Sequence, residues 1–342
     1  MRLLLATDAW EPQVNGVVRT LTSLCQELAE RGVEVRIVAP KDFRTIPCPT
    51  YPEIRLALAT AFRVGRVVDE FRPDAIHIAT EGPVGIAARK AAMQRGLAFT
   101  TSFHTRFPEY LRKRAPVPDA FSYALLRRFH APASACLVPT DSIRQELETR
   151  GFRNLAVWTR GVDRALFKPL PPLDHGLPGP VFLTVSRVAP EKNLEAFLDL
   201  DLPGSKIVVG AGPSLGALIE RYPKVHFAGL QTGEALARYY SSADVFVFPS
   251  RTDTFGIVLI EALACGVPVA AFPVPGPLDV IADTKAGCLS EDLRAACLGA
   301  LALRREDALE RSRAFSWELC ADIFLDAATR SARKDTGLRL AG

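Results

Sequence analysis

No stretch of this 342-residue chain stays apolar for the length of a membrane span before a charge or a proline interrupts it, and no basic-then-apolar leader opens it. A membrane anchor and a secretory signal are therefore not expected, and the cytoplasm is the expected compartment. Cysteine is present but unpatterned. Seven are spread widely, with no CxxC and no Cys/His cluster, which argues against a disulfide framework and a zinc site. No GxGxxG occurs, and Val14 stands two places before Gly16 where a dinucleotide fingerprint needs a first glycine, so a nicotinamide dinucleotide site is disfavoured. The glycine turn at 210–213, GAGP, lacks the lysine-hydroxyl pair of a P-loop. One DxD exists, Asp199 to Asp201. It falls at the end of a predicted helix beside Pro203 and Gly204 and reads as a solvated terminus, so no essential metal is expected. No tight Lys/Arg stripe with interleaved aromatics appears, and nucleic acid is not an expected partner.

What is present is a globular composition, 48% hydrophobic and 23% charged, in a chain large enough for two cores. The net charge of +4 is uneven: residues 1–160 hold 23 Lys+Arg against 16 Asp+Glu, a balance of +7, and the remainder holds 19 against 22, a balance of −3. The first half is thus the better candidate for an anionic surface.

Strand and helix patterns alternate throughout. In the first half strands are predicted at 2–7, 34–39, 75–79, 97–102 and 135–139, and helices at 17–31, 55–70, 85–94 and 141–150. Residues 168–180 carry five prolines and read as a linker. The second half restarts the pattern, with strands at 181–186, 206–210, 225–228, 243–248 and 267–272 and helices at 193–200, 214–221, 233–241 and 256–264. An amphipathic helix over 317–333 and a frayed end from Thr336 close the chain. Regular βα alternation predicts an α/β fold of two doubly wound, mostly parallel sheets, with a cleft between two halves of similar size.

The stretch 249–266, PSRTDTFGIVLIEALACG, organises the rest. The run ADVFVF at 243–248 reads as a buried strand, a polar turn follows, and a helix opens near Gly256. A helix opening at a strand's carboxyl end makes an anion-friendly crevice. Asp253 lies in the turn, and Glu261 follows eight positions later inside an apolar run. A carboxylate there needs hydroxyls or cations, as a ribose would supply, or else a place on the helix's exposed side. Arg187 and Lys192 follow the first strand of the second half and suit a pyrophosphate; a solvated loop is the alternative. His104 ends a first-half strand, where it could touch a substrate hydroxyl, move a proton, or be structural. His77, inside a strand, reads as structural. Gly16 opens the first helix and permits close backbone approach, or merely makes the turn.

Together these residues resemble the retaining, nucleotide-sugar-dependent glycosyltransferases of family 4, which have the GT-B fold. The resemblance covers nearly the whole chain and is most specific in the acid-x7-acid pattern from Asp253 to Glu261. It extends to SRVAPEKN (186–193), TRGVDRALFKP (159–169), VGAGP (209–213) and TDAWEPQVNGVVRTL (7–21). SFHTRFPEY (102–110) is similar to the branch that glycosylates diacylglycerol, phosphatidylinositol or related lipids, often from GDP-mannose or a UDP-hexose.

The resemblance implies an acceptor-binding domain over 1–165, a donor-binding domain over 166–316, and a helix with its tail over 317–342, whose return to the first domain is left open. It places Arg187 and Lys192 on the donor diphosphate, Glu261 on the ribose, and Asp253 facing the donor sugar. The backbone of Thr254, Phe255, Gly256 and Ile257 would cup sugar and phosphates, with Gly16 near phosphate and acceptor and His104 reaching the sugar. His104 and Asp253 are thus the implied catalytic pair. The implied chemistry is front-side displacement with retention, without metal or cofactor, and with the leaving diphosphate as base. Asp253 replaces the commoner glutamate, and Asn15 stands where many relatives have a second glycine. The expected partners are a nucleotide sugar, a lipid or glycan acceptor, and an anionic membrane surface met by basic, apolar segments at 55–72 and 110–115. The competing readings are the same transferase with a soluble or polysaccharide acceptor, and a nucleotide-sugar-binding protein without activity.

Overall fold

The computed structural model describes residues 1–13, 15–48, 51–106, 108 and 118–340, with side chains left aside at 51–54 and 332–340. The chain forms two compact units, Met1–Arg160 together with Trp317–Gly342, and Gly161–Ser316.

The first unit is built on a six-stranded sheet of order β2-β1-β5-β6-β7-β8, parallel at every pairing. Its strands are β1 (Arg2–Ala6), β2 (Glu34–Val38), β5 (Ala75–Ile78), β6 (Thr100–Ser102), β7 (Ala135–Val138) and β8 (Leu155–Val157). Alternate residues of β1 part to opposite faces, as a pleated strand requires. Leu3 and Leu5 pack under α1 (Gly16–Glu30) and α13 (Trp317–Leu340), while Leu4 and Ala6 pack under α2 (Ala61–Phe71) and α3 (Pro83–Gln94). The remaining helices are α4 (Asp119–His130) and α5 (Asp141–Thr149).

α13 therefore belongs to the first unit. Its Phe324 is fully buried there, and the Cys320 carbonyl accepts from the Trp158 indole at 2.9 Å. The helix also runs on to Leu340, past the point where fraying was expected. The segment expected as one helix over 55–70 is divided. Tyr51–Ala57 is a strand, β4, paired antiparallel with β3 (Thr45–Cys48). The helix begins only at Ala61, because the Thr60 hydroxyl accepts from the Arg63 amide at 3.3 Å and so marks the start.

The second unit holds a sheet of order β11-β10-β9-β12-β13-β14, again parallel throughout. It comprises β9 (Val181–Val185), β10 (Ser205–Val209), β11 (His226–Gly229), β12 (Val245–Phe248), β13 (Val269–Ala271) and β14 (Gly287–Leu289). Every residue of β9 and β12 is buried, as central strands covered on both faces must be. Helices α6 (Glu195–Leu198), α7 (Leu215–Arg221), α8 (Gly233–Ser241), α9 (Ile257–Ala264), α10 (Pro277–Ile281), α11 (Leu293–Ala300) and α12 (Arg305–Ser312) fill the crossovers and edges. The helix expected over 193–200 is only one turn, because Asn193 is left-handed at φ 53° and bonds elsewhere.

Candidate active site

In the second unit the chain leaves β9 toward β10 and β11 on one side and reaches β12 to β14 on the other. A crevice therefore opens between the loops that follow β9 and β12, the usual ligand position in an open α/β sheet. Two bonds tie these loops together. Asn193 Nδ2 donates to the Pro249 carbonyl at 3.0 Å, and Thr252 Oγ1 donates to the Glu191 carbonyl at 3.3 Å.

Into this frame Lys192 and Asp253 project as a pair, with Nζ donating to Oδ1 at 2.6 Å and each side chain about four-fifths buried, at 20% and 18% exposure. The other carboxylate oxygen, Asp253 Oδ2, is buried and has no partner among the described residues. A buried carboxylate oxygen without a donor is costly, which makes it a receptive point for a hydroxyl. Sequence reading placed Lys192 and Asp253 on different parts of a donor; the fold holds them against each other. Arg187 stands half-buried in the same β9 loop.

Next to the pair, α9 begins without a side-chain cap, since its N-cap residue is Gly256 at φ 81°. The Leu259 amide donates to the Gly256 carbonyl at 2.9 Å, and the N-cap residue supplies no side-chain oxygen to the amides of the first turn. Thr254 and Phe255 are buried, and the Phe255 ring lies edge-on to Phe315 at 5.9 Å. Ile257 packs partly against the same core. The loop is also held from its other side: Gly276 is at φ 93°, and a Cβ there would stand 2.7 Å from the Phe255 carbonyl oxygen.

Glu261 is only 1% exposed, which excludes the solvent-facing position left open by the sequence. Its Oε2 accepts from the Tyr240 hydroxyl at 2.9 Å, inside the hydrophobic core of the unit. Tyr240 is a residue that sequence reading missed. It sits in the run GEALARYYS, where only a knowledge of which tyrosine turns inward distinguishes it from Tyr239.

In the first unit His104 follows β6. Arg160 Nη2 lies 3.2 Å from His104 Nδ1, and Trp158 presents its ring edge-on to the imidazole at 5.8 Å. Burial, and then the Arg160 charge, hold the His104 pKa well below the usual histidine range. His77 lies in the core, its two nitrogens 2.8 Å from Thr100 Oγ1 and 2.8 Å from Ser102 Oγ, and burial lowers its pKa to about 3. Gly16 is exposed at the head of α1, whose first amides are taken by Asn15 Oδ1 at 3.0 Å. The DxD aspartates stay apart from the crevice loops: Asp199 accepts from the Tyr222 hydroxyl at 2.5 Å, and the Asp201 carbonyl accepts from Arg294 at 2.8 Å. The basic run at 110–115 lies outside the described residues.

Comparison with known proteins adds the following. Residues 14–166 match the model described as Glycosyltransferase Family 4, and residues 179–303 match Glycosyl transferases group 1. The chain is 31% identical to sulfoquinovosyl transferase SQD2 of Arabidopsis thaliana over 80% of its own length, and spans 60% of the length of that relative. It is 28% identical to a GDP-mannose-dependent alpha-mannosyltransferase of Mycobacterium tuberculosis, covering 84% of this chain and 83% of the relative. Alpha-monoglucosyldiacylglycerol synthase of Streptococcus pneumoniae is 27% identical, over 88% of this chain and 78% of that protein. Among solved structures, Anabaena Alr3699/HepE in complex with UDP and glucose superposes with a TM-score of 0.70 at 16% identity, covering 95% of this chain and 98% of that one.

Proposed function

Because this chain belongs to the family 4 glycosyltransferases and has the GT-B fold, we propose that it moves a hexose from a nucleotide sugar, GDP-mannose or a UDP-hexose, to an acceptor hydroxyl with retention. The observation that carries this reading is the Lys192–Asp253 pair at the switch point of the second sheet, beside an uncapped helix start. Lys192 and Arg187 neutralise the donor diphosphate, whose charge grows as the glycosidic bond breaks, and the first amides of α9 add partial positive charge. Asp253 presents its second oxygen to a hydroxyl of the donor sugar, while its first accepts from Lys192. Glu261 takes the ribose hydroxyls in a dry setting, where a charge-assisted bond is strong. His104 recognises a hydroxyl of the sugar. The protein supplies position and electrostatics; the leaving diphosphate accepts the acceptor's proton, and no metal or cofactor is needed.

The acceptor is a membrane glycolipid or a lipid-linked sugar, reached from the cytoplasmic face. Two observations support this. On α2, Phe62 is 75% exposed beside exposed Arg63 and Arg66, with Leu58 52% exposed just before it. On α4, Phe121 and Leu125 are 59% and 54% exposed beside exposed Arg127 and Arg128. Apolar residues interleaved with arginine suit an anionic bilayer surface. Among the described residues no helix is long and apolar enough to cross a membrane.

A thermal-shift panel of UDP-, GDP- and ADP-sugars tests the donor. One of them should raise the melting temperature in proportion to its affinity, and a flat response to all of them would overturn the reading. Product analysis with lipid extracts set against free sugars then tests the acceptor, and transfer only to soluble glycans would remove the lipid part.

A further inference from the structure

The guanidinium of Arg160 is 3% exposed, and among the described residues no carboxylate lies within ion-pair distance of it. Its bonds go elsewhere. Nη1 donates to the Trp158 carbonyl at 2.5 Å and to the Thr159 carbonyl at 3.0 Å, and the cation sits 4.5 Å above the Trp158 ring. Nη2 lies 3.2 Å from His104 Nδ1. Burying a cation this way is costly, so the contact it makes with histidine calls for a reason.

An arginine has only N–H donors and no lone pair to offer. The contact therefore forces His104 Nδ1 to be the acceptor, and a neutral imidazole with an accepting Nδ1 carries its proton on Nε2. Protonating Nδ1 would break the bond and set two cations side by side. We infer that Arg160 is a positioning residue that fixes His104 as a neutral Nε2–H hydrogen-bond donor, so that His104 recognises a substrate oxygen and does not serve as a base at that nitrogen. The backbone carbonyls of Trp158 and Thr159 keep the guanidinium plane in place, and the Trp158 ring packs on both partners. A lysine at 160 would place a single point charge where a planar fork now makes three bonds.

The other titratable groups acting on the ring are His77 and His130. His77 is uncharged at neutral pH. His130 is pushed up to about 10, where burial opposes its charge but Cys136 and Glu81 outweigh it. Arg160 and His130 thus both oppose a positive charge on His104.

That the oxygen belongs to the donor sugar rests on the proposed transferase function; the tautomer does not. Long-range proton–nitrogen correlation spectra of protein labelled on histidine, with the His104 signal assigned by its loss in His104→Gln, read the tautomer directly. The expected result is a single Nε2–H form that does not titrate between pH 5.5 and 8. Arg160→Met should release it to a mixture of tautomers whose protonation rises toward the ordinary histidine range, and Arg160→Lys should restore the Nε2–H form in part. An Nδ1–H form in the unmodified protein, or ordinary titration there, overturns the inference.

A second test does not require substitution of the buried arginine. Glutamine places its amide nitrogen near where Nε2 lies, and asparagine places it near Nδ1. His104→Gln should therefore keep about tenfold more turnover than His104→Asn, and the reverse order overturns the inference. If the unmodified protein transfers no sugar yet shows the locked tautomer, the function fails and the tautomer stands.

Discussion

The two units carry related sheets but use their switch points in opposite ways. In the second, the loops after β9 and β12 present Lys192 and Asp253, and the helix that follows has Gly256 at its N-cap, with no side-chain cap. In the first, the order reverses between β1 and β5, and the corresponding helix start is already filled. Asp8, just past β1, accepts from the Val84 and Gly85 amides at 2.8 and 3.2 Å and from the Thr80 hydroxyl at 2.8 Å. A Cβ at Gly82 would collide with the Asp8 carboxyl. The first unit thus carries its own anion where the second leaves room for one. The same backbone feature, a helix start at a strand's carboxyl end, is filled by the chain's own carboxylate in one unit and has no side-chain cap in the other.

The largest expected effect comes from removing the open side's cation. Lys192→Ala should lower kcat/KM for the donor by about 10²–10³-fold, and should also lower the melting temperature, because it leaves the Asp253 carboxylate buried without its cation. Activity near normal would break the comparison. Glu261→Leu sharpens it. The substitution leaves the buried Tyr240 hydroxyl without its acceptor, so the variant should melt only modestly below the parent while donor use falls about 10²-fold, the effect of losing a charge-assisted contact to the ribose. A large fall in melting temperature would instead assign Glu261 and Tyr240 to the fold alone.

How far this was legible in the sequence differs between the units for a physical reason. The open switch point is written in residue types: a strand of β-branched and aromatic residues, then SRTDTFG, then an acid in an apolar helix. Arg187, Lys192, Asp253 and Glu261 could therefore be picked out, although the direct bond between Lys192 and Asp253, and the Tyr240 hydroxyl on Glu261, could not. Those depend on which loops the fold brings together across some sixty and twenty positions. The filled switch point was invisible. Asp8 reads as one turn residue, and its partners Thr80, Val84 and Gly85 lie more than seventy positions away. A separation of 56 positions likewise hid the link between Arg160 and His104. The β3–β4 hairpin was misread because IRLALATAFRVGRVV carries a helical period straight through Thr60, and only the cap there divides strand from helix. The elements α4, α10, α11, α12, β8 and β14 are not legible in the sequence, being weakly periodic or, in α10, β8 and β14, only three to five residues long.

Asp8→Ala tests the filled side. It removes three hydrogen bonds and the cap of α3, and should cost about 2 kcal/mol, read as a fall of about 4–8 °C in melting temperature. Burial raises the Asp8 pKa, and the amides of Val84 and Gly85 and the Thr80 hydroxyl offset this only in part. The carboxylate is thus held at some electrostatic cost, and Asp8→Asn should be much milder than Asp8→Ala. Donor turnover per folded molecule should remain within a few-fold of normal in both. A loss on the scale of Lys192→Ala would mean that both switch points serve the ligand.

The smallest effect separates the units by pH. His77 and His104 have folded pKa values below that of a free histidine, so the unfolded chain binds more protons as pH falls. The His77 contribution is complete above about pH 6.5 and drains away toward about pH 3, and that of His104 falls in the same direction as pH falls. His130 works the other way: with a folded pKa near 10, its contribution is complete below about pH 6.5 and is lost as pH rises through 10. All three belong to the first unit. The melting temperature of that unit should therefore peak near neutrality and decline on both sides. His77→Gln should flatten the acid limb, at the expense of some stability from the two hydroxyls it leaves behind, and His130→Gln should flatten the alkaline limb. A ligand-bound sample sharpens the contrast further. A nucleotide sugar stabilises the unit that holds it, so the transition that responds to added donor should be a different one from the transition that responds to these two substitutions. If one transition answers to both, the open and the filled switch points are not independent, and the division of labour between the units would have to be given up.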